Sequence, residues 1–287
     1  MKKILLALLM VVSLNLRGTV IPARSVQMDP QPAETLPTVT VLPDPFQPEE
    51  TGTEETGEET EREPEDPART VEPSRPMVAL TFDDGPHPVY TDQLLDILEE
   101  NGAVATFFEV GQKLSSAPEA VRRAEKLGCE IGSHSNRHAN LGKLDPEALE
   151  VDLAAADVAF EEVLGTVPTL LRPPYGATSK ALKTDSGYSI VTWSVDPQDW
   201  KLRDVEQVVA HVQGIGDLDG QVILLHSIYE SSVEATRTLV PWLQEQGYQL
   251  VTVSELITLR FGDTLEPNRL YNYDYFRCPP ALSEAVR

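Results

Sequence analysis

The chain has 287 residues and a formal charge of −23, enough for one large domain or two small ones. Residues 1–28 hold four basic and no acidic side chains, residues 29–73 hold 14 acidic and two basic ones, and the remainder is again acidic. An acidic body is a poor partner for nucleic acid, whose binding rests on neutralised phosphates, and two cysteines, Cys129 and Cys278, make neither a disulfide framework nor a CxxC metal ribbon.

Lys2 and Lys3 precede an apolar run from Ile4 to about Leu14. That is the charged and hydrophobic pattern of an export signal, and it is shorter than the roughly 20 residues that span a bilayer. Residues 1–23 are expected to be a signal peptide or, if uncleaved, a membrane anchor. Residues 24–76 are rich in Pro, Glu and Thr, with Phe46 their single aromatic. Such a segment has too little apolar surface to offset the entropy of ordering. It is expected to be a disordered spacer that holds a secreted or surface-tethered domain away from a membrane or through a wall. In an exported chain Cys129 and Cys278 can pair; two unpaired thiols is the other reading.

From Met77 the pattern alternates. Met77–Phe82, Val104–Val110, Cys129–Ser133, Leu170–Arg172, Tyr188–Val195, Gln221–His226 and Gln249–Val253 read as strands. Helices are expected at Thr91–Asn101, Pro118–Leu127, Pro146–Leu164, Ser179–Ser186, 204–213 and 233–246, with Asp145 as an N-cap. Repeated β-α units imply a parallel sheet with right-handed crossovers. The expected fold class is α/β, a distorted (β/α) barrel of about seven parallel strands whose site lies at the strands' carboxyl ends. The catalytic domain is expected over 77–260, followed by a tail, 261–287, whose aromatics can pack back on the barrel.

Five strand ends carry polar clusters. The first is Thr81-Phe82-Asp83-Asp84-Gly85-Pro86. Neighbouring side chains in a strand point to opposite faces, so two adjacent carboxylates share a site only where Gly85 and Pro86 break the strand. A repelling pair also needs a cation or donors to compensate it. The second is Ser133-His134-Ser135-Asn136-Arg137-His138, with histidines at i and i+4, which fall on one face of a helical turn and can grip one metal. Two imidazoles and a carboxylate suit zinc with a position left open. The third is Arg172-Pro173-Pro174-Tyr175-Gly176, a rigid turn after an arginine that can hold a carboxylate. The fourth is Trp193-Ser194-Val195-Asp196-Pro197-Gln198-Asp199-Trp200. The fifth is the apolar run Val222–Leu225 ending in His226. Taken singly, each has a bland reading: an Asx turn, surface histidines, a polyproline turn, a core tryptophan, a structural histidine.

In this order the five stretches resemble the polysaccharide deacetylases of carbohydrate esterase family 4, and the resemblance spans about residues 77–260. It implies a distorted (β/α) barrel, which agrees with the strand pattern. It implies one divalent metal, zinc first and cobalt, nickel or iron as alternatives, held by Asp84, His134 and His138. It implies Asp83 as the general base for the attacking water, Arg172 holding Asp83, and Tyr175 giving a main-chain N–H to the oxyanion. His226 is implied as general acid oriented by Asp199, with Pro174, Tyr175, Trp200 and Leu224 against the substrate. The expected substrate is an acetylated polysaccharide, foremost the N-acetylglucosamine of peptidoglycan, acted on by a monomeric domain with no nucleic-acid partner. The alternatives are a chitooligosaccharide deacetylase, an acetyl-xylan O-esterase and an inactive glycan-binding surface protein. One residue departs from the pattern: Glu109, in an otherwise apolar strand, is expected to face outward.

Overall fold

A computed structural model describes residues 69–277. The expected signal or anchor, the spacer up to residue 68 and Cys278, hence the cysteine pairing, lie outside the described residues. Cys129 itself is buried. Among the described residues no helix is long and apolar enough to cross a membrane.

Eight strands form one parallel sheet: β1 Met77–Gly85, β2 Thr106–Glu109, β3 Glu130–Ser133, β4 Leu170–Leu171, β5 Ser189–Val191, β6 Gln221–His226, β7 Gln249–Leu250 and β8 Leu270–Tyr271. They run in the order β6-β1-β2-β3-β4-β5-β8, with β7 against the start of β1. The ring closes through one bridge, Val195 to Ile223, beyond the end of β5. This is the expected distorted barrel. The crossovers carry α1 Tyr90–Glu100, α2 Pro118–Lys126, α3 Pro146–Leu164, α4 Lys180–Asp185, α5 Asp199–Leu202, α6 Val205–Gln213 and α7 Glu230–Glu245.

The apolar run opening β1 is continuous because both its faces are covered. Val78, Leu80 and Phe82 pack under the helices with Leu94, Leu98 and Val240. Met77 and Ala79 face the barrel interior with Phe108, Val222 and Val253. The longest crossover helix is bounded as its sequence dictates. The Asp145 carboxylate accepts the Ala148 N–H at 2.8 Å, Pro146 fills the first turn, and Gly165 closes the helix at φ 70°.

Three local expectations change. The strand does not stop before the aspartates; β1 runs on to Gly85, with a bulge between Asp83 and Gly85 and Asp84 at φ 72°. The bulge, rather than a strand end, lets consecutive carboxylates share a site. Residues 134–138 form no helical turn, since Ser135 and His138 lie at φ 65° and 54°. Glu109 does not reach solvent; it is 1 % exposed, its carboxyl packed against the β1 bulge at Gly85.

The fold also extends past the expected domain limits. Arg69 pairs with Glu255, and the Glu72 N–H donates to Gln249 at 2.8 Å, so 69–76 lie against the barrel's base. At the other end, β8 adds to the edge beside β5 and is followed by a short helix, Tyr273–Arg277.

Candidate active site

The polar strand ends converge on one cleft of about 470 Å³, open to solvent and lined by Asp83, Asp84, His134, His138, Tyr175, Trp193, Asp196, Trp200, Leu224, His226 and Tyr229. Strained backbone concentrates here. Seven non-glycine described residues have positive φ, and five of them, Asp84, Ser135, His138, Tyr175 and Gln198, belong to the clusters named above.

At its floor, Asp84, His134 and His138 each offer one ligand atom within 4.8 Å of the others. Asp84 Oδ1 lies 3.3 Å from His134 Nε2 and 3.0 Å from His138 Nε2. That oxygen is buried yet has no well-directed hydrogen-bond donor, as expected of three lone pairs aimed at a common point. The His134 tautomer is set from behind, because its Nδ1–H donates to the Arg172 carbonyl at 2.7 Å and leaves Nε2 unprotonated towards Asp84. His138 Nδ1 is 3.3 Å from the Tyr175 hydroxyl. Burial pushes the Asp84 carboxyl up, but hydrogen bonds and charge from the two imidazoles, in the state in which they carry Nε2 protons, outweigh it and hold the group well below the usual carboxylate range. The donor set fits a divalent ion of the zinc type.

Asp83 lines the same cleft, with Oδ2 3.7 Å from His134 Nε2. Its Oδ1 accepts from Arg172 Nη1 at 2.8 Å. Arg172 is fully buried, and its other donors go to Thr81 Oγ1 at 2.7 Å, the Thr192 carbonyl at 2.8 Å and the Val191 carbonyl at 3.4 Å. Phe108 covers its plane at 4.1 Å.

His226 is the register partner of Asp83 on the neighbouring strand, so both side chains face the same side. Its Nδ1–H donates to Asp199 Oδ1 at 2.9 Å, and its main-chain N–H donates to Oδ2 at 2.8 Å. Ser232 Oγ and the Trp200 N–H complete the buried carboxylate's shell at 2.6 and 2.8 Å. Burial pulls the His226 imidazolium down, but Asp199, aided by Asp83 and Asp84, leaves it raised above the ordinary histidine range.

A sequence model of the family described as polysaccharide deacetylase matches residues 70–189. A peptidoglycan-N-acetylglucosamine deacetylase of Bacillus cereus is 40% identical over 189 residues, covering 63% of this chain and 88% of the relative. The chain belongs to the polysaccharide deacetylase family. The deacetylase fold is also similar to the solved structure of peptidoglycan deacetylase PdaC from Bacillus subtilis, at TM-score 0.64 and 39% identity, over 66% of this chain and 93% of that one. A family 4 acetyl xylan esterase from Clostridium thermocellum, solved with cobalt, aligns at TM-score 0.64 and 35% identity over 68% and 98%. The curated full-length PdaC is 42% identical over 188 residues, which cover 65% of this chain and 40% of that protein. The chain thus spans less than half of that relative.

Every residue expected at the site lines the cleft or touches a residue that does, except that Pro174 is buried within its turn. Tyr229, Thr81 and Ser232 were not expected there. Thr81 was within reach of the strand's period of two, which puts it on the same face as Asp83. Tyr229 and Ser232 follow His226 in a stretch with no chemical pattern of its own.

Proposed function

We propose that this protein is a metal-dependent deacetylase that removes N-acetyl groups from the N-acetylglucosamine of peptidoglycan. The carrying observation is the shared cleft, in which the cluster Asp84, His134 and His138 adjoins the Asp83–Arg172 pair and the His226–Asp199 pair. The ion would be held by that cluster, and zinc is the first choice for two imidazoles and a carboxylate. When bound, it would supply Lewis acidity, polarising the acyl carbonyl and making water a better nucleophile at neutral pH.

The chain's own groups do the rest. Asp83, its charge compensated by Arg172, takes a proton from the attacking water. The Tyr175 main-chain N–H donates to the developing oxyanion, where loss of one donor costs about 3 kcal/mol. His226, protonated and anchored through Nδ1 on Asp199, delivers a proton from Nε2 to the departing nitrogen. Trp200, Trp193 and Leu224 form apolar walls that a sugar face can cover. A location at the wall outside the membrane belongs to the same reading, supported by the charged and apolar start of the chain.

A second reading is motivated by the 42% identical relative, a peptidoglycan-N-acetylmuramic acid deacetylase: the target sugar would then be muramic acid. Treating peptidoglycan, N-acetylglucosamine oligomers and acetylated xylan with the protein, with and without chelator, tests both. Acetate release from the first two, with the free amine on glucosamine by mass spectrometry, is expected. Release from xylan alone overturns the proposal, and amine only on muramic acid selects the second reading.

A further inference from the structure

Three consecutive carbonyls hold the bulge that presents Asp84. The Asp83 carbonyl accepts from the Ser227 N–H at 3.0 Å, and the Gly85 carbonyl from the Val110 N–H at 2.8 Å. Between them, the Asp84 carbonyl accepts from Lys113 Nζ at 2.7 Å. The outer two donors are main-chain groups of neighbouring segments. The middle one is a side chain, from the 3-10 turn Gly111–Ser116 that follows β2.

Asp84 needs that support more than its neighbours. It sits at φ 72° without being glycine, a conformation that persists only where surroundings over-determine it. Its carboxylate must also point at His134 and His138, so a small rotation of its peptide moves Oδ1 out of the cluster.

The neighbourhood favours a cation at this position. The Glu109 carboxyl packs against the same bulge, since a Cβ at residue 85 would fall 2.5 Å from Glu109 Oε2. Glu109 is fully buried, and that oxygen has no hydrogen-bond partner.

We propose that Lys113 is a positioning residue of the metal centre: by clamping the Asp84 main chain, it sets the direction in which that carboxylate meets the ion. The inference rests on the metal reading above. Outer-shell partners of this kind are worth about 10–100-fold in metal affinity. The side chain meets Asp84 at its main-chain carbonyl, not at the ligand oxygen, and Lys113 does not itself line the cleft, so it carries no chemistry itself.

The test is cobalt affinity of the full-length, chelator-stripped protein, by competition with a chromophoric chelator, and the visible spectrum of the cobalt form. Lys113→Met keeps the stem's length and removes the donor; Lys113→Arg keeps a donor. Expected is a loss of about 10–100-fold for Lys113→Met with an altered cobalt spectrum, unchanged far-ultraviolet circular dichroism, and Lys113→Arg within a few-fold of wild type. Wild-type affinity and spectrum in Lys113→Met overturn the positioning role and leave the metal reading intact. Equal losses in both variants also overturn it, because the donor would then not be what matters. A wild-type protein that takes up no cobalt overturns the metal reading and this inference with it.

Discussion

Arg172 and Asp83 form a buried ion pair at 2.8 Å, the arginine fully enclosed and the carboxylate at the edge of the cleft. A guanidinium in such a place must be compensated, and here two carbonyls, a hydroxyl and an aromatic face assist the carboxylate. Arg172 also orients His134 through its own carbonyl, so one residue links the proposed base to the candidate metal cluster. Arg172→Met should leave Asp83 buried without its partner. Removing one member of a buried pair costs about 3–5 kcal/mol, so denaturant unfolding should show a loss of that order, together with a large fall in acetate release.

The His226–Asp199 pair gives a prediction in pH. A proton donor must be charged to act, so activity is lost as pH rises through its pKa. Asp199 holds that pKa above the ordinary value against the pull of burial. Asp199→Asn should therefore move the alkaline limb of the kcat profile to lower pH. His226→Ala should keep the metal and slow turnover by about 10²–10⁴.

Much of this was legible in advance because the chemistry sits on strand ends. An apolar run followed by Asp-Asp-Gly, or by a lone histidine, marks both the strand and the side from which its polar residues project. The bulge at Asp84 and the left-handed conformations of Ser135 and His138 were not legible. Nothing in Asp, Ser or His demands positive φ; tertiary partners hold the bulge at Asp84 through Ser227, Val110 and Lys113, and the Gly111 N–H holds the Ser135 carbonyl. Strand β8 escaped for a similar reason, being two residues long and set by pairing with β5.

Glu109 predicts an unusual stability profile. The folded protein holds a proton on this group up to about 8, against an ordinary value of about 4.5. The native state thus binds more protons than the unfolded chain between those limits, so this group's contribution to stability falls with rising pH across that window and levels off above it. In metal-stripped protein, Glu109→Gln should gain in Tm relative to wild type on going from about pH 5 to about pH 9. Parallel curves would show that the carboxyl is not titrating there.

Gly85 is confined by space. A Cβ there would fall 2.4 Å from Ser227 Oγ and 2.5 Å from Glu109 Oε2. Gly85→Ala should cost about 1–3 kcal/mol, the usual range for overpacking, and chemical denaturation measures it. Glu109→Ala in the same chain should restore part of the loss by vacating the space.

The most direct measurement is acetate release from peptidoglycan by the full-length protein, stripped by chelator and titrated with zinc, beside Asp84→Asn. One equivalent of zinc should restore the wild-type rate, while Asp84→Asn should neither hold the ion nor release acetate. Undiminished release by the stripped wild type, or a full rate in Asp84→Asn, would contradict a metal centre at Asp84, His134 and His138.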